Sequence, residues 1–268
     1  NITGRYDVVS SMPRGNRGFF YPSVSLGFIF TELNLLKDQK ILSFGKVRLS
    51  YAEVGQAATA YNAEPVFVTG GAGSGFLNFG ITYPFVGLSG YKPSRTLYDL
   101  KLKPQNTKTY ETGFDLKFLN NRVAIDYTYS YQDANDQIFG VPLSGSTGYG
   151  TLNMNAGRMV TNSHEVVLSG TPITNKNVDW TVVVNFSKVE SVCKELAKGV
   201  DNISLGGFTT PNIRASVGDS YPTIYGEQYV KDAQGRILVE ENPASANYGF
   251  PKAGTFGKIG DVSPDFIL

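Results

Sequence analysis

The side chains that most often carry covalent chemistry are scarce in this sequence. A single histidine, His164, follows Asn162-Ser163 at a predicted strand start, and the single cysteine, Cys193, comes just after another strand. A catalytic base needs a nucleophile and an orienting carboxylate nearby, and no such set stands out around His164. One histidine and one cysteine cannot form a zinc cluster or an internal disulfide. We therefore predict no catalytic residue, no metal and no cofactor, and expect that the protein is not an enzyme.

Neither the glycines nor the charges indicate a nucleotide or nucleic-acid ligand. The run Gly70-Gly71-Ala72-Gly73-Ser74-Gly75 fits neither the dinucleotide-binding nor the P-loop spacing, so we interpret it as a loop tip. The 24 basic and 23 acidic residues give a formal net charge of +1. A nucleic-acid-binding domain is expected to carry a basic stripe, and this balance argues against one.

The most informative segment is Thr109–Gln132, which reads as two long strands joined at Asn120-Asn121. In each strand, every second residue belongs to a mainly apolar and aromatic set. This set comprises Tyr110, Thr112, Phe114, Leu116 and Phe118 in the first strand, and Val123, Ile125, Tyr127, Tyr129 and Tyr131 in the second. The other set comprises Glu111, Gly113, Asp115 and Lys117, then Arg122, Ala124, Asp126, Thr128 and Ser130. A period of two puts each set on its own face of a sheet. Asn tolerates the left-handed backbone that a tight hairpin turn requires.

The length of this alternation favours a protein that spans a membrane. Strands of globular proteins usually run about 5–6 residues, whereas these run about 10. Ten residues at ~3.3 Å each, tilted by ~45°, rise roughly 23 Å, close to the ~25 Å apolar band of a transmembrane barrel. The pattern therefore favours a transmembrane β-barrel over a soluble all-β domain.

The remaining chain repeats the same arrangement. Further strands are predicted at Phe19–Phe30, Leu42–Glu53, Ser163–Gly170 and Val178–Lys188. Short connections are expected at Glu32–Gln39, Asn120-Asn121 and Thr171–Asn177, and long irregular ones at Val54–Lys108, Asp133–Asn162 and Glu190–Ile259. Outer-membrane barrels have short periplasmic turns and long external loops, so we expect the short set in the periplasm and the long set outside the cell.

The alternation also assigns side chains to the two faces of the predicted wall. The lipid-facing set is Phe114, Leu116, Phe118, Val123, Ile125, Tyr127, Val47, Leu49 and Trp180. The lumen-facing candidates are Lys46, Arg48, Asp115, Lys117, Arg122 and Asp126. Their mixed signs neutralise one another, so they do not indicate an ion-selective ring.

Aromatic residues are concentrated in the long connections. Candidates for contact with a substrate or a partner are Tyr61, Phe76, Tyr83, Tyr91, Tyr149, Tyr225 and Tyr229. Aromatic rings beside Asn, Ser and Gly offer flat apolar surfaces and adaptable hydrogen bonds, which suit sugars, peptides or a protein partner. The alternative, that these rings only pack the loops against each other, stays open at this point.

Several segments, in order along nearly the whole chain, resemble one family. These are Asn16-Arg17-Gly18-Phe19-Phe20-Tyr21-Pro22-Ser23-Val24-Ser25, Lys46-Val47-Arg48-Leu49-Ser50-Tyr51-Ala52-Glu53-Val54-Gly55-Gln56, the stretch from Thr112 to Arg122, Asn155-Ala156-Gly157, Gly170-Thr171-Pro172-Ile173, and Gly260-Asp261-Val262-Ser263-Pro264-Asp265-Phe266. They are similar to motifs of the SusC/RagA-type TonB-dependent transporters. The last of them resembles the motif that opens a later strand in that family.

The resemblance implies an all-β fold, a segment of a large antiparallel barrel of 22 strands with a plugged lumen and long extracellular loops. Residues 1–268 would supply about seven of those strands, with the plug domain and the terminal strands absent from this chain. It implies a multi-pass protein of the bacterial outer membrane. The implied partners are a SusD-like surface lipoprotein, TonB (through the absent N-terminal part) and the lipid bilayer. The resemblance also implies that transporter–lipoprotein pairs can dimerise.

The expected function is TonB-dependent import of bulky nutrients, oligosaccharides or oligopeptides, with no covalent chemistry. One alternative is a soluble or surface-attached all-β module that binds carbohydrate or protein. A second is a β-rich hydrolase, which is disfavoured because no carboxylate pair or triad stands out. Solubility without detergent would indicate the binding module, and hydrolytic turnover would indicate the hydrolase.

Overall fold

The structure is a computed structural model that describes residues 1–37, 41–60, 66–73 and 80–268. Its strands are β1 (Ile2–Val8), β2 (Gly18–Ile29), β3 (Leu42–Gln56), β4 (Phe67–Thr69), β5 (Gly71–Gly73), β6 (Gly80–Thr82), β7 (Tyr91–Pro93), β8 (Thr96–Tyr98), β9 (Gln105–Phe118), β10 (Val123–Pro142), β11 (Thr151–Thr174), β12 (Asp179–Leu196), β13 (Asn202–Gly207), β14 (Asn212–Ser216), β15 (Thr223–Tyr229) and β16 (Ala253–Asp261). Short 3-10 turns occupy Arg14–Asn16, Phe30–Glu32 and Gly145–Thr147. Among these described ranges, no helix has the length and apolarity needed to cross a membrane.

One large sheet dominates the fold. Its strand order is β1-β2-β3-β9-β10-β11-β12, each pair antiparallel, and β8 adds to β11 in parallel. The sheet is an open segment of a barrel wall and does not close on itself. This confirms the predicted all-β class and the predicted segment of a large antiparallel barrel.

The hairpin between β9 and β10 turns at the predicted asparagines. The two strands pair in continuous register from Val123 opposite Phe118 to Asn135 opposite Asn106. In the turn, Leu119, Asn120 and Asn121 have φ of 53°, 58° and 65°. These values lie in the left-handed region, which asparagine tolerates far better than a branched residue.

The register separates an apolar face from a charged face, as the sequence predicts. Residues directly opposite each other in a ladder share a face. One apolar row runs across six strands through Phe28, Val47, Phe114, Tyr127, Val166 and Phe186. The next row runs through Gly27, Arg48, Gly113, Thr128, Glu165 and Ser187. We call these two sides of the large sheet the apolar face and the charged face.

The chain covers little of the apolar face. Leu49 and Trp180 are 48% and 53% exposed, and Phe28 is 51% exposed. A contiguous apolar surface of this kind needs a cover of lipid or protein. The grouping of residues by face is confirmed, whereas contact of the apolar face with lipid stays a prediction.

Two of the predicted long irregular segments are wrong in their extent. β10 has 20 residues and continues to Pro142, and β11 has 24 residues and already begins at Thr151. The connection is therefore only residues 143–150, not Asp133–Asn162. The apolar alternation ends near Asp133, but backbone pairing between β10 and β11 continues beyond it, with register shifts between Ala134 and Ile138. Backbone pairing does not need an apolar side chain, so the sequence pattern underestimates these strands.

The segment Glu190–Ile259 is likewise more ordered than predicted. β12 continues to Leu196, and β13, β14, β15 and β16 form a four-stranded sheet, here called the distal sheet. The distal sheet is joined to the free edge of β12. The Cys193 N–H donates to the Asp219 carbonyl at 3.0 Å, and the Tyr221 N–H donates to the Ser191 carbonyl at 2.8 Å.

Among the described residues, two buried clusters hold the long connections against one end of the large sheet. In the first, Ile203 and Ala215 of the distal sheet pack on Val141 and Ala156. The second cluster consists of Met12, Ala58 and Leu102. It packs together the connection between β1 and β2, the segment after β3 and the segment before β9. Both clusters lie at the end opposite the Asn120-Asn121 turn, so the long segments gather at one end of the strands, as predicted.

The segment after the distal sheet returns to the edge of β12. Ile267 pairs with Ser187 through two backbone hydrogen bonds of 2.9 and 2.8 Å, and the rings of Phe186 and Phe266 stack with centroids 5.9 Å apart. The motif that ends in Asp265-Phe266 thus leads into a strand position, as the resemblance implied.

The turn geometry gives a testable prediction. Replacing Asn121 with Val should destabilise the folded barrel by about 1–2 kcal/mol, because a β-branched residue is strained at positive φ. Asn121→Gly, the matched control, should be neutral or stabilising. Urea titration of the full-length protein in liposomes measures both, and equal midpoints for the two variants would contradict the assignment of this turn.

Candidate functional site

The charged face is organised around Arg48 on β3. Its Nη2 forms an ion pair with the Asp126 carboxylate and donates to the Thr128 hydroxyl at 3.1 Å, both on β10. To reach β10, the side chain crosses β9 at Gly113, which lies opposite Arg48 in the register. A Cβ at Gly113 would lie 3.3 Å from Nη2 and 2.6 Å from the Tyr127 carbonyl oxygen. Glycine at this position is therefore required first by the backbone of β10, and it also leaves room for the guanidinium to pass over β9.

The neighbouring candidates carry charges of both signs, and the two carboxylates Asp115 and Asp126 lie directly opposite each other. Lys46 lies opposite Asp115, which lies opposite Asp126 on the next strand. The ammonium of Lys117 lies 5.2 Å from the centre of the Phe44 ring, in the range of a cation–π contact. Five of the six predicted lumen-facing residues are thus on one face, with nearly balanced charge.

Arg122 differs from the other five. It lies in the turn between β9 and β10, where its N–H donates to the Leu119 carbonyl at 3.3 Å and its carbonyl accepts from the Thr171 N–H at 2.8 Å. The strand alternation predicted from the sequence counted Arg122 as part of β10. That placement is wrong because the turn takes up four residues, 119–122, and the alternation assigns Arg122 no face.

The Arg48–Asp126 pair is a weak source of stability. Both side chains are 40% exposed, and pairs at such positions typically contribute about 0–1 kcal/mol. Its consequence is orientation, because the ion pair directs the guanidinium across β9 towards β10.

His164 and Cys193 have the contacts of structural residues. The Tyr127 hydroxyl is hydrogen-bonded to His164 Nδ1 at 2.9 Å, and the Tyr129 ring centre lies 5.0 Å from the imidazole. Cys193 is fully buried beneath the distal sheet junction. Within the described part of the chain, His, Cys, Asp and Glu form no group of three that could hold a metal ion.

The predicted loop aromatics fall into three places. Tyr61 and Phe76 lie outside the described residues. Tyr91 is exposed on β7, and Tyr83 packs beside Gly90, so both belong to one segment. Tyr149 lies in the connection 143–150, which meets that segment where the Gly150 N–H donates to the Arg95 carbonyl at 2.8 Å.

Tyr225 is the third residue of β15 in the distal sheet and Tyr229 is its last, and the two have different roles. Tyr229 is exposed. The Tyr225 hydroxyl donates to the Asp219 carboxylate, and this bond raises the pKa of Tyr225. Nearby, the Lys258 ammonium lies 2.7 Å from Asp261 and lowers the pKa of that carboxyl group.

Sequence reasoning missed the partners of Tyr225. Arg214 on β14 lies over two rings, with its guanidinium carbon 5.1 Å from the centre of Tyr225 and 4.6 Å from that of Phe256. Its Nε donates to the Asn212 side-chain oxygen at 2.7 Å. These residues are separated in sequence and come together only through the distal sheet, so no local pattern indicates them.

Comparison with known proteins identifies the class to which this wall segment belongs. A family model described as "TonB dependent receptor-like, beta-barrel" matches residues 1–262. The chain therefore belongs to the TonB-dependent receptor β-barrel family, whose members are outer-membrane transport proteins and not enzymes. This confirms the predicted family, location and absence of enzymatic activity.

Individual relatives agree with that assignment. TonB-dependent receptor SusC of Bacteroides thetaiotaomicron is 27% identical over 250 residues, covering 88% of this chain and 24% of SusC. TonB-dependent receptor P3 of Formosa agariphila is 23% identical over 289 residues, covering 100% of this chain and 28% of P3. The solved RagAB peptide transporter superposes with a TM-score of 0.75 at 19% identity, covering 99% of this chain and 28% of that chain. The chain thus spans about a quarter of the length of these relatives.

The two-faced wall gives a testable prediction. Leu116→Arg on the apolar face should destabilise the assembled barrel by about 2–4 kcal/mol, because a cation at the bilayer midplane is costly. Ser50→Arg on the charged face should cost much less. The amount of heat-resistant folded protein in purified outer membranes measures assembly, and equal losses for the two variants would contradict the assignment of the faces.

Proposed function

We propose that this chain forms part of the wall of an outer-membrane importer for bulky nutrients, either oligosaccharides or oligopeptides. The observation that carries the proposal is the separation of an apolar and a charged face over strands of membrane-spanning length. In lipid every backbone polar group must be paired within the protein, and a continuous strand ladder with an apolar outer side meets that requirement. The matched family supports the same class of activity.

The charged face would line the lumen. Lys46, Arg48, Asp115 and Asp126 combine opposite charges within one small area. Such a surface hydrates the wall without a strong net field, so it favours no single sign of ion. This composition suits the passage of large polar solutes and contact with a plug.

Energy coupling would come from other parts of the full-length protein. In this proposal a plug domain fills the lumen against the charged face, and TonB drives its movement from the inner membrane. Residues 1–268 would provide the wall against which the plug rests. The mixed charges of the wall would then offer polar contacts that can break and re-form at low cost.

The distal sheet would contact a SusD-like surface lipoprotein. Between β15 and β16 the chain forms a ribbon, residues 229–253, held by bonds such as Val230 N–H to the Lys252 carbonyl at 3.0 Å. One of its two turns, residues 232–236, is fixed by the Asp232 carboxylate, which accepts from the Gln234 and Arg236 N–H groups at 2.9 Å each. The ribbon is therefore pre-organised, which lowers the entropic cost of binding a partner.

Exposed apolar side chains on this ribbon support a protein contact. The large apolar residues it exposes are Tyr229, Val230, Ile237, Leu238, Val239, Tyr248 and Phe250. Phe250 is 64% exposed. A folded protein seldom leaves such a set uncovered at the cell surface. We propose that a capping lipoprotein covers it, and that the loop tyrosines Tyr83, Tyr91 and Tyr149 contact the cargo.

Growth on defined nutrients tests the import function. Deleting the whole gene should abolish uptake of one cargo class while uptake of a small diffusible sugar such as glucose is unchanged. Fluorescently labelled oligosaccharides and oligopeptides, supplied separately to the parent and deletion strains, distinguish the two classes. Equal uptake of every labelled oligomer in both strains would refute the proposal.

The ribbon gives a separate prediction about the partner. The double variant Tyr248→Ser/Phe250→Ser should reduce the lipoprotein that co-purifies with the transporter by about tenfold or more, since burying two aromatic rings commonly contributes well over 1.4 kcal/mol. Gln234→Ala, in the polar turn 232–236, is the control. Unchanged co-purification with the double variant would exclude the ribbon as the main contact.

A further inference from the structure

Arg214 in the distal sheet is held in one orientation by three sets of contacts. Its Nε donates to the Asn212 oxygen at 2.7 Å, and Asn212 is itself buried, with its side-chain nitrogen donating to the Thr209 carbonyl at 3.1 Å. The guanidinium lies over the rings of Tyr225 and Phe256. The Tyr225 ring is fixed in turn by its hydroxyl bond to Asp219.

These contacts leave part of the guanidinium without a protein partner. An arginine has five N–H donors, and Nε uses one of them here. Among the residues that the structure describes, no carboxylate forms an ion pair with Arg214, and neither Nη atom has a protein acceptor. Of the nearby charged groups, Lys258 pairs with Asp261, and Asp219 accepts from Tyr225. Glu227 on β15 lies opposite Phe256 and forms no ion pair with any described residue.

Two other arginines of the chain, Arg158 and Arg236, contrast with Arg214. Arg158 donates to both oxygens of Asp133 at 2.8 and 2.9 Å and also contacts Glu195. Arg236 donates to Asp232 at 2.7 Å. Each of these guanidinium groups meets a carboxylate of its own chain. Arg214 is positioned instead by one hydrogen bond and two ring contacts, and its remaining donors meet no carboxylate among the described residues.

We propose that Arg214 is a subsite of the importer that binds a carboxylate group of the cargo through its two Nη atoms. A rigid guanidinium fork matches the planar carboxylate in a bidentate pair, and stacking on aromatic rings leaves the edge of the fork free for that contact. The inference rests on the proposed function, and it adds selectivity for acidic cargo. Acidic sugars and peptides both carry this group, and Glu227, on the same face of β15, disfavours a second negative charge close by.

Binding to matched pairs of probes tests the subsite in the full-length protein with its co-purified lipoprotein. The probes are trigalacturonic acid with its methyl ester, and tetra-alanine with its C-terminal amide. For at least one pair, the wild-type protein should bind the free acid at least about tenfold more tightly, as expected for a charge-assisted bidentate bond. The pair that shows the difference identifies the source of the carboxylate.

Three variants separate recognition from folding. Arg214→Gln should abolish the preference for the free acid. Arg214→Lys keeps the positive charge but lacks the fork, so it should restore little of the preference. Arg5→Gln, which loses an exposed arginine already paired with Asp7 on β1, should leave the preference intact. Binding of the neutral ester or amide should be equal in all three variants, which shows that the distal sheet is folded.

Two sets of outcomes would overturn the inference. The first is an absence of preference for the free acid in both probe pairs. The second is a preference that persists in Arg214→Gln, or is fully retained in Arg214→Lys. In either case uptake by the wild-type strain would be unaffected, so the proposed import function would still stand. Loss of uptake with the gene deletion is the separate test of that function.

Discussion

The backbone ladder from β1 to β12 is the constraint on which the rest of the structure depends, and it is continuous apart from local register shifts in the β3–β9, β10–β11 and β11–β12 pairs. Each strand pairs with its neighbour in register, and the alternation of side chains then places every second residue on the same side of the wall. A slip of one residue on β9 would exchange Phe114 with Asp115 and expose charge on the apolar side. The face assignments, the path of Arg48 across Gly113 and the gathering of the long connections at one end all follow from this register.

Part of the fold could be predicted from the sequence because alternation is a local signal. The two faces of β9 and β10 and the turn at Asn120-Asn121 were predicted correctly on that basis. The strand ends were not: β10 continues past Asp133 through backbone pairing that leaves no apolar signature. The distal sheet was also missed, since short strands such as β14 (Asn212–Ser216) depend on pairing with segments distant in the chain.

The candidate site shows the same division. Lys46, Arg48, Asp115, Lys117 and Asp126 share a face because of strand parity, so the sequence alone grouped them. Arg214 is joined to Phe256 only by the tertiary arrangement of β14, β15 and β16, and no spacing in the sequence indicates that contact. The two faces of the wall can thus be predicted from the local sequence pattern. The surface proposed to contact cargo depends on packing between segments distant in the chain, so the sequence pattern does not predict it.

The orientation of the wall in the membrane is the central claim, and accessibility along β9 tests it most directly. Single cysteines, each carrying a spin label, would be placed at successive positions from Thr109 to Phe118 in the full-length protein in liposomes; the native Cys193 is fully buried and contributes little label. Collisions with oxygen, which dissolves in lipid, should peak at Thr112, Phe114 and Leu116. Collisions with a water-soluble nickel complex should peak at Glu111, Gly113 and Asp115. An absent alternation, or one with the two sets reversed, would contradict a wall with its apolar face in lipid.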